Sequence, residues 1–326
     1  MRRLFKPLIT RPADFDDFWS GTLQELEGLS LDLTERTLPK ADSDPELELK
    51  TLSFASLGGV TVHGYLLRWR GAESRPLVVH SHGYGSQTEV MWPWARAGLH
   101  VLGVDIRGFG ESRAALRSPS RWGYMLTGID APEHHFLRGA VCDYVQAVRV
   151  AQNLLGASTQ RLVLHGISFA GGLALMAESI LQKADLLAVG VPTFGWAEGR
   201  RFFVKAGSGK EINDYAEARP DHVEDLMVVL RYFDAVNFAE RITCPTLVGL
   251  GIVDDVVPAN TVYAIANHLA GPHEIMEFPI SHSESPEEQH WEQFEHYWMK
   301  IAREGFPEGF SSEEGRKIHD FDRDRR

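Results

Sequence analysis

Leu162-Val163-Leu164-His165-Gly166-Ile167-Ser168-Phe169-Ala170-Gly171-Gly172 is the stretch that decides how the rest of the chain is read. It opens as a short apolar run of strand length and passes into the pattern Ala170 to Gln182, whose apolar residues recur at helical spacing. Between them sits a serine flanked by small residues. A serine on a sharp strand-to-helix turn needs such neighbours, because bulk on either side would collide with the crossing backbone; this is the pattern of a nucleophile elbow. The strict form of the pattern has glycine where Ala170 stands, but alanine is still small and Gly171 follows. A bare Gly-x-Ser-x-Gly carries little weight. One placed between a strand and a helix carries much more.

Working outward, short apolar runs alternate with helical stretches. The runs are Pro76 to His80, His100 to Asp105, Arg161 to His165, Leu187 to Val191, Thr246 to Leu250 and Glu274 to Phe278. Phe136 to Leu155 and Ala170 to Gln182 have helical periodicity, and Pro286 to Ala302 reads as an amphipathic closing helix. Buried strands alternating with helices predict a mostly parallel central sheet covered on both faces. Together with the elbow, that predicts an α/β-hydrolase fold. No repeat or low-complexity linker splits the 326 residues, so one domain is expected.

Three additions decorate that domain. Residues from about 10 to 70 form an N-terminal extension, first a helix carrying Phe15, Phe18, Trp19, Leu23 and Leu26, then a β-rich stretch from Leu49 to Trp69 turning at Leu57-Gly58-Gly59-Val60. Excursions at Arg107 to Glu133 and at Thr193 to Arg241 are rich in aromatic residues, among them Phe109, Trp122, Tyr124, Phe194, Trp196, Phe202 and Phe203. In open α/β sheets ligands bind outside the carboxyl ends of the strands. These aromatics therefore read either as a lid or pocket wall, with Phe109 and Trp196 as substrate-binding candidates, or as clusters packing the insertions onto the sheet. Residues from about 303 to 326 read as a charged tail, solvated from Arg316 onward.

An elbow serine requires a base, an acid and an oxyanion hole. The expected chain order is serine, acid, histidine. Leu247 to Val253 is a run ending in Asp254 and Asp255, and the run ending at Phe278 leads into Pro279-Ile280-Ser281-His282. Thus Ser168, one of the two aspartates, and His282 all fall at strand ends in the required order. Oxyanion donors would be the backbone N–H of Phe169, next to the nucleophile, and that of Tyr84 in the loop Val79-His80-Ser81-His82-Gly83-Tyr84. His80 and His82 could instead suggest a metal, but no further ligand follows at close spacing, so no metal is expected. His165 reads as a packed core residue. Asp105, followed by Arg107, reads as half of a structural ion pair.

Composition excludes several other classes. The net charge is −12, from 33 basic and 45 acidic residues, which argues against nucleic acid and anionic membranes as partners. Cys142 and Cys244 are too few for a disulfide framework and read as core or near-core thiols. No apolar run has the length of a signal peptide or a membrane span, so a cytoplasmic location is expected.

Colinear matches now become informative. The chain resembles the acetyl xylan esterase and cephalosporin C deacetylase family, the seventh carbohydrate-esterase family, from about Pro12 to about Ile301. The matching residues include Asp14-Phe15-Asp16-Asp17-Phe18-Trp19, His82-Gly83-Tyr84, Asp105-Ile106-Arg107-Gly108 and Gly123-Tyr124-Met125. They continue with Gly128-Ile129, Arg138-Gly139, Asp143, the elbow, Tyr232-Phe233-Asp234, Asn237 and the acid loop ending at Pro258. The resemblance implies a triad of Ser168, Asp254 and His282, oxyanion donors on the backbone of Tyr84 and Phe169, and no metal or organic cofactor. It implies removal of small acyl groups, chiefly acetate, from sugar hydroxyls and related alcohols. It further implies a homo-oligomer, commonly a hexamer with active sites facing an internal cavity.

Three positions depart from that pattern. Phe109 replaces the glutamine of an Arg-Gly-Gln signature, Phe169 replaces the usual glutamine after the nucleophile, and Ser283 follows His282 where glutamate is usual, with Glu284 one position later. If the two phenyl rings face the bound acyl group, they narrow the pocket and favour acetyl. Rival readings are a general carboxylesterase, a thioesterase or peptidase using the same constellation, or a non-catalytic relative that only binds; such relatives typically lose a triad member.

Overall fold

A computed structural model describes residues 4–39, 44–71, 73–116, 119–283, 289–307, 310 and 316–320. Ten strands form one sheet in the order β1-β2-β3-β5-β4-β6-β7-β8-β9-β10. They are β1 (Thr34–Thr37), β2 (Leu47–Ser56), β3 (Val60–Trp69), β4 (Arg75–Ser81), β5 (His100–Asp105), β6 (Thr159–Ile167), β7 (Leu186–Gly190), β8 (Thr246–Gly251), β9 (His273–Phe278) and β10 (Arg316–Asp320). The first three pair antiparallel, and β3 also lies antiparallel to β5. From β5 across to β10 every pairing is parallel. All six apolar runs predicted from the sequence lie on or overlap strands of this parallel part.

The parallel strands are buried on both faces because successive side chains point opposite ways. Leu77, Val79, Leu102, Leu164 and Val189 face one core, shared with α3 (Phe136–Leu155) and α4 (Phe169–Leu181). Val78, Val101, Val163 and Ala188 face the other, built on α2 (Trp92–Arg96) and α10 (His290–Glu304) through Trp94, Phe294 and Trp298. The N-terminal helix α1 (Phe15–Glu27) adds Phe15, Trp19 and Leu26 to the first core. Gly58 and Gly59, at φ 78° and 67°, make the β2–β3 turn; two successive positive φ values are what a tight hairpin demands.

The insertion from 193 to 241 folds as α5 (Ala197–Phe203), α6 (Gly207–Ala218), α7 (Val223–Leu230) and α8 (Val236–Ala239), and α9 (Ala259–Ala266) follows β8. Its aromatics divide between the two roles the sequence allowed. Phe194, Tyr232 and Phe233 are buried packing residues, whereas Phe202 and Phe203 are exposed.

The charged end of the chain departs from its reading as a tail. Helix α10 runs on to Glu304, Phe310 is buried against Phe306 at 5.0 Å, and Arg316–Asp320 extends the sheet as β10. An open sheet edge offers unpaired N–H and C=O groups that any extended backbone can satisfy, so the side-chain composition of Arg316–Asp320 gives no sign of the pairing. Residues 286–288 of the expected closing helix, and Glu284, lie outside the described residues.

Candidate active site

Ser168 stands between β6 and α4 with φ 59° and ψ −117°, a strained conformation for a residue with a side chain. The crossing is tight enough to explain its small neighbours. A Cβ on Gly166 would lie 2.3 Å from the Ala170 backbone, and one on Gly172 would lie 2.6 Å from the Thr193 carbonyl. The Ser168 N–H donates to the Gly190 carbonyl at 2.8 Å, and the Ser168 carbonyl accepts from Gly172 and Thr193. The turn is thereby held on both sides.

Beyond β8, Asp254 is buried. Its Oδ1 accepts from the N–H groups of Val256 and Val257, both at 2.8 Å, and its Oδ2 lies 2.9 Å from His282 Nδ1. Two backbone donors fix the carboxylate's orientation, and the carboxylate in turn makes Nδ1 the protonated nitrogen. Nε2 is then the basic one. Asp255 is exposed and makes no contact with His282 among the described residues. Both acids lie in the turn beyond β8, which ends at Gly251, and that turn buries Asp254 while leaving Asp255 exposed.

Ser168 and His282 line one cleft of about 660 Å³, together with Gly83, Tyr84, Ile167, Thr193, Ser208, Val257 and Trp291. The Phe169 N–H is the first of α4 and has no intrahelical acceptor, which suits an anion at the helix end. Tyr84 lies on a loop held by His82, whose Nε2 accepts from the Ile106 N–H at 3.1 Å while Nδ1 contacts the Gly83 carbonyl at 2.8 Å. Burial lowers the pKa of His82 and keeps it neutral, as that pair of bonds requires. Its neighbour His80 is pushed down to about 3 by burial and bonds the Tyr65 hydroxyl at 2.6 Å. Both rings are thus engaged in structural bonds. Among the described residues no group of three or more His, Cys, Asp or Glu is arranged to hold a metal ion.

Neither substrate-binding candidate lines the cleft of Ser168 and His282. Phe109 is buried against His82, Tyr84, Tyr124 and Phe169, with ring centroids 4.7–5.9 Å apart, and does not line the cleft. Phe169 is fully buried among Tyr84, Phe136 and Phe194. The expectation that these rings narrow the acyl pocket is therefore corrected: each fills space behind the oxyanion loop. Trp196 lines a second cleft of about 620 Å³ with Phe5, Phe203, Val253 and Pro258, and that cleft reaches both Asp254 and Asp255. Asp105 is corrected too. It accepts from the N–H groups of Thr88 and Glu111, and Arg107 pairs instead with Asp143 at 2.7 Å.

Sequence reading missed two neighbours of the site. Trp291 lies across the ends of β7 and β8, where a Cβ on Gly190 or Gly249 would touch its ring at 2.8 or 2.9 Å. Glu211 of α6 accepts from the Tyr84 hydroxyl at 2.7 Å and from the Met125 N–H at 3.0 Å, and burial raises its pKa. A tryptophan in a helical stripe reads as core, and an acid in an insertion reads as surface, so neither carried a signal.

With this geometry in view, comparison with known proteins is decisive. The family model described as acetyl xylan esterase (AXE1) matches residues 3–300. The chain belongs to the acetyl xylan esterase family. Membership makes it a carboxylic ester hydrolase. Among curated proteins, the acetyl esterase Axe7A of Xylanibacter ruminicola is 25% identical over 315 residues, covering 91% of this chain and 69% of that one. Among solved structures, the acetyl xylan esterase from Paenibacillus sp. R4 superposes with a TM-score of 0.83 at 24% identity, covering 92% of this chain and 98% of that one. Acetyl xylan esterase 1 from Thermoanaerobacterium sp. JW/SL YS485 gives 0.82 at 21% identity, with coverages of 91% and 96%. At those identities the two structures speak for the fold, which is that of α/β-hydrolase esterases. Among the described residues of this family member, no helix is long and apolar enough to cross a membrane.

Proposed function

We propose that the protein removes acetyl groups from esterified sugars or related alcohols through Ser168, His282 and Asp254. The observation that carries this reading is the 2.9 Å contact between buried Asp254 and His282, at a cleft that His282 shares with a strained elbow serine. His282 Nε2 takes the Ser168 proton as the oxygen attacks the ester carbonyl, and the backbone N–H groups of Tyr84 and Phe169 receive the oxyanion. His282 then returns the proton to the leaving alcohol. Water repeats the sequence on the acetyl-enzyme and frees acetate.

The acyl group is placed against the apolar wall of Ile167, Val257 and Trp291, and the alcohol toward the open side of the cleft. We further propose a homo-oligomer, hexameric as in the family, for which the exposed Phe202, Phe203 and Val253 offer an apolar contact surface. A cytoplasmic location fits the two unpaired cysteines.

The test is a panel of p-nitrophenyl esters and acetylated xylo-oligosaccharides. Acetate should exceed butyrate by at least about tenfold in kcat/KM, as family membership leads one to expect, each methylene being worth about 1–3 kcal/mol of discrimination. Preference for butyrate or octanoate would instead indicate a general carboxylesterase.

A further inference from the structure

Helix α5 buries Arg200 and partly buries the adjacent Arg201, and among the described residues neither has a carboxylate partner. Arg200 is only 8% exposed, and among the described residues none of its guanidinium nitrogens makes a hydrogen bond or a salt bridge. Its one specific contact is the Phe194 ring, 5.3 Å from the guanidinium carbon. Arg201 likewise has no salt bridge, and its Nε is buried without an acceptor. Both line a small cavity walled by Met125, Leu137, Ile212 and Phe233.

The nearest buried acid does not answer this charge directly. Asp234 spends its oxygens on the N–H groups of Trp196, Ala197 and Val236, and burial raises its pKa to about 6. Burial also lowers that of Arg200 to about 10, which leaves the guanidinium charged at neutral pH. A buried cation without a hydrogen-bonded partner is expensive, and an ion from solvent relieves the cost. Gly209 packs closely on the guanidinium, since a Cβ there would stand 2.9 Å from Arg200 Nη2.

We propose that this cavity is a binding site for a small monovalent anion of chloride size, held by Arg200 and Arg201. Its volume of about 20 Å³ has room for one small monatomic guest. Phosphate and sulfate are too large for it and would have to shed too much hydration against apolar walls. The site is distinct from the Ser168 cleft but adjoins it through α6, whose first residues, Gly207 and Ser208, line that cleft.

Two measurements on the full chain test it. Crystals soaked in sodium bromide should show an anomalous peak between the two guanidinium groups. In thermal unfolding at fixed ionic strength, replacing methanesulfonate by chloride should raise Tm saturably by about 2 °C or more. Arg200→Met and Arg201→Met should each abolish the rise. If Arg200→Met fails to fold, the more exposed Arg201→Met and the bromide map decide between the outcomes. Absence of a bromide peak, or a chloride response that survives in the variants, overturns the proposal.

Discussion

Asp254 and Asp255 are chemically identical neighbours, and only position distinguishes them. Asp254 is buried with two backbone donors and the His282 contact, whereas Asp255 is exposed. Asp254→Asn should lower kcat by several orders of magnitude, up to about ten-thousandfold, because the amide favours the wrong imidazole tautomer. Asp255→Asn should change kcat less than about threefold, as surface substitutions usually do. Steady-state kinetics on both variants check the ranking. The same contrast holds for the aromatic residues. Trp291 lines the cleft and Phe109 does not, so Trp291→Ala should narrow the preference for acetate over butyrate, by a factor within the roughly 10–200-fold range that pocket contacts control. Phe109→Leu should leave that ratio unchanged and lower Tm. Residue types at 109 and 169 were plain in the sequence, but the direction of a ring depends on the packing behind it, which no local pattern encodes.

At the scale of elements, the strand ends and the order serine, acid, histidine were readable because a parallel strand buried on both faces leaves a continuous apolar run. The Gly-rich elbow was readable because its backbone crossing forbids bulk. Pairing across the sheet was not. The Arg107–Asp143 pair joins a loop to α3 over 36 residues, and β10 pairs with β9 from the far end of the chain. Helix α4 illustrates an electrostatic consequence of burial. Near its carboxyl end, Glu178 is pushed up to about 7 by desolvation, although it accepts from the N–H groups of Ala184 and Lys183. The folded state then holds this proton more tightly than the unfolded chain does. Its contribution to stability is complete below the ordinary carboxyl value, falls as pH rises from there, and is lost once pH passes about 7. Denaturant titrations from pH 4.5 to 8 should show that decline, and Glu178→Gln should flatten it. An unchanged slope in the variant would locate the effect elsewhere.

Across the whole molecule, the sheet brings together residues more than a hundred positions apart, and the insertion closes over them. Glu211 ties that insertion to the oxyanion loop through Tyr84, so the cleft is completed by an element the elbow motif does not mention. Within this assembled cleft the proposed deacetylation needs one nucleophile, Ser168. Intact-mass and peptide mass spectrometry after reaction with a fluorophosphonate tests it most directly. One adduct per chain, confined to the peptide holding Ser168, rising in step with loss of acetyl-ester hydrolysis and absent from Ser168→Ala, is the predicted result. Full activity in the unlabelled Ser168→Ala protein, or an inactivating adduct on another residue, would show that Ser168 is not the nucleophile.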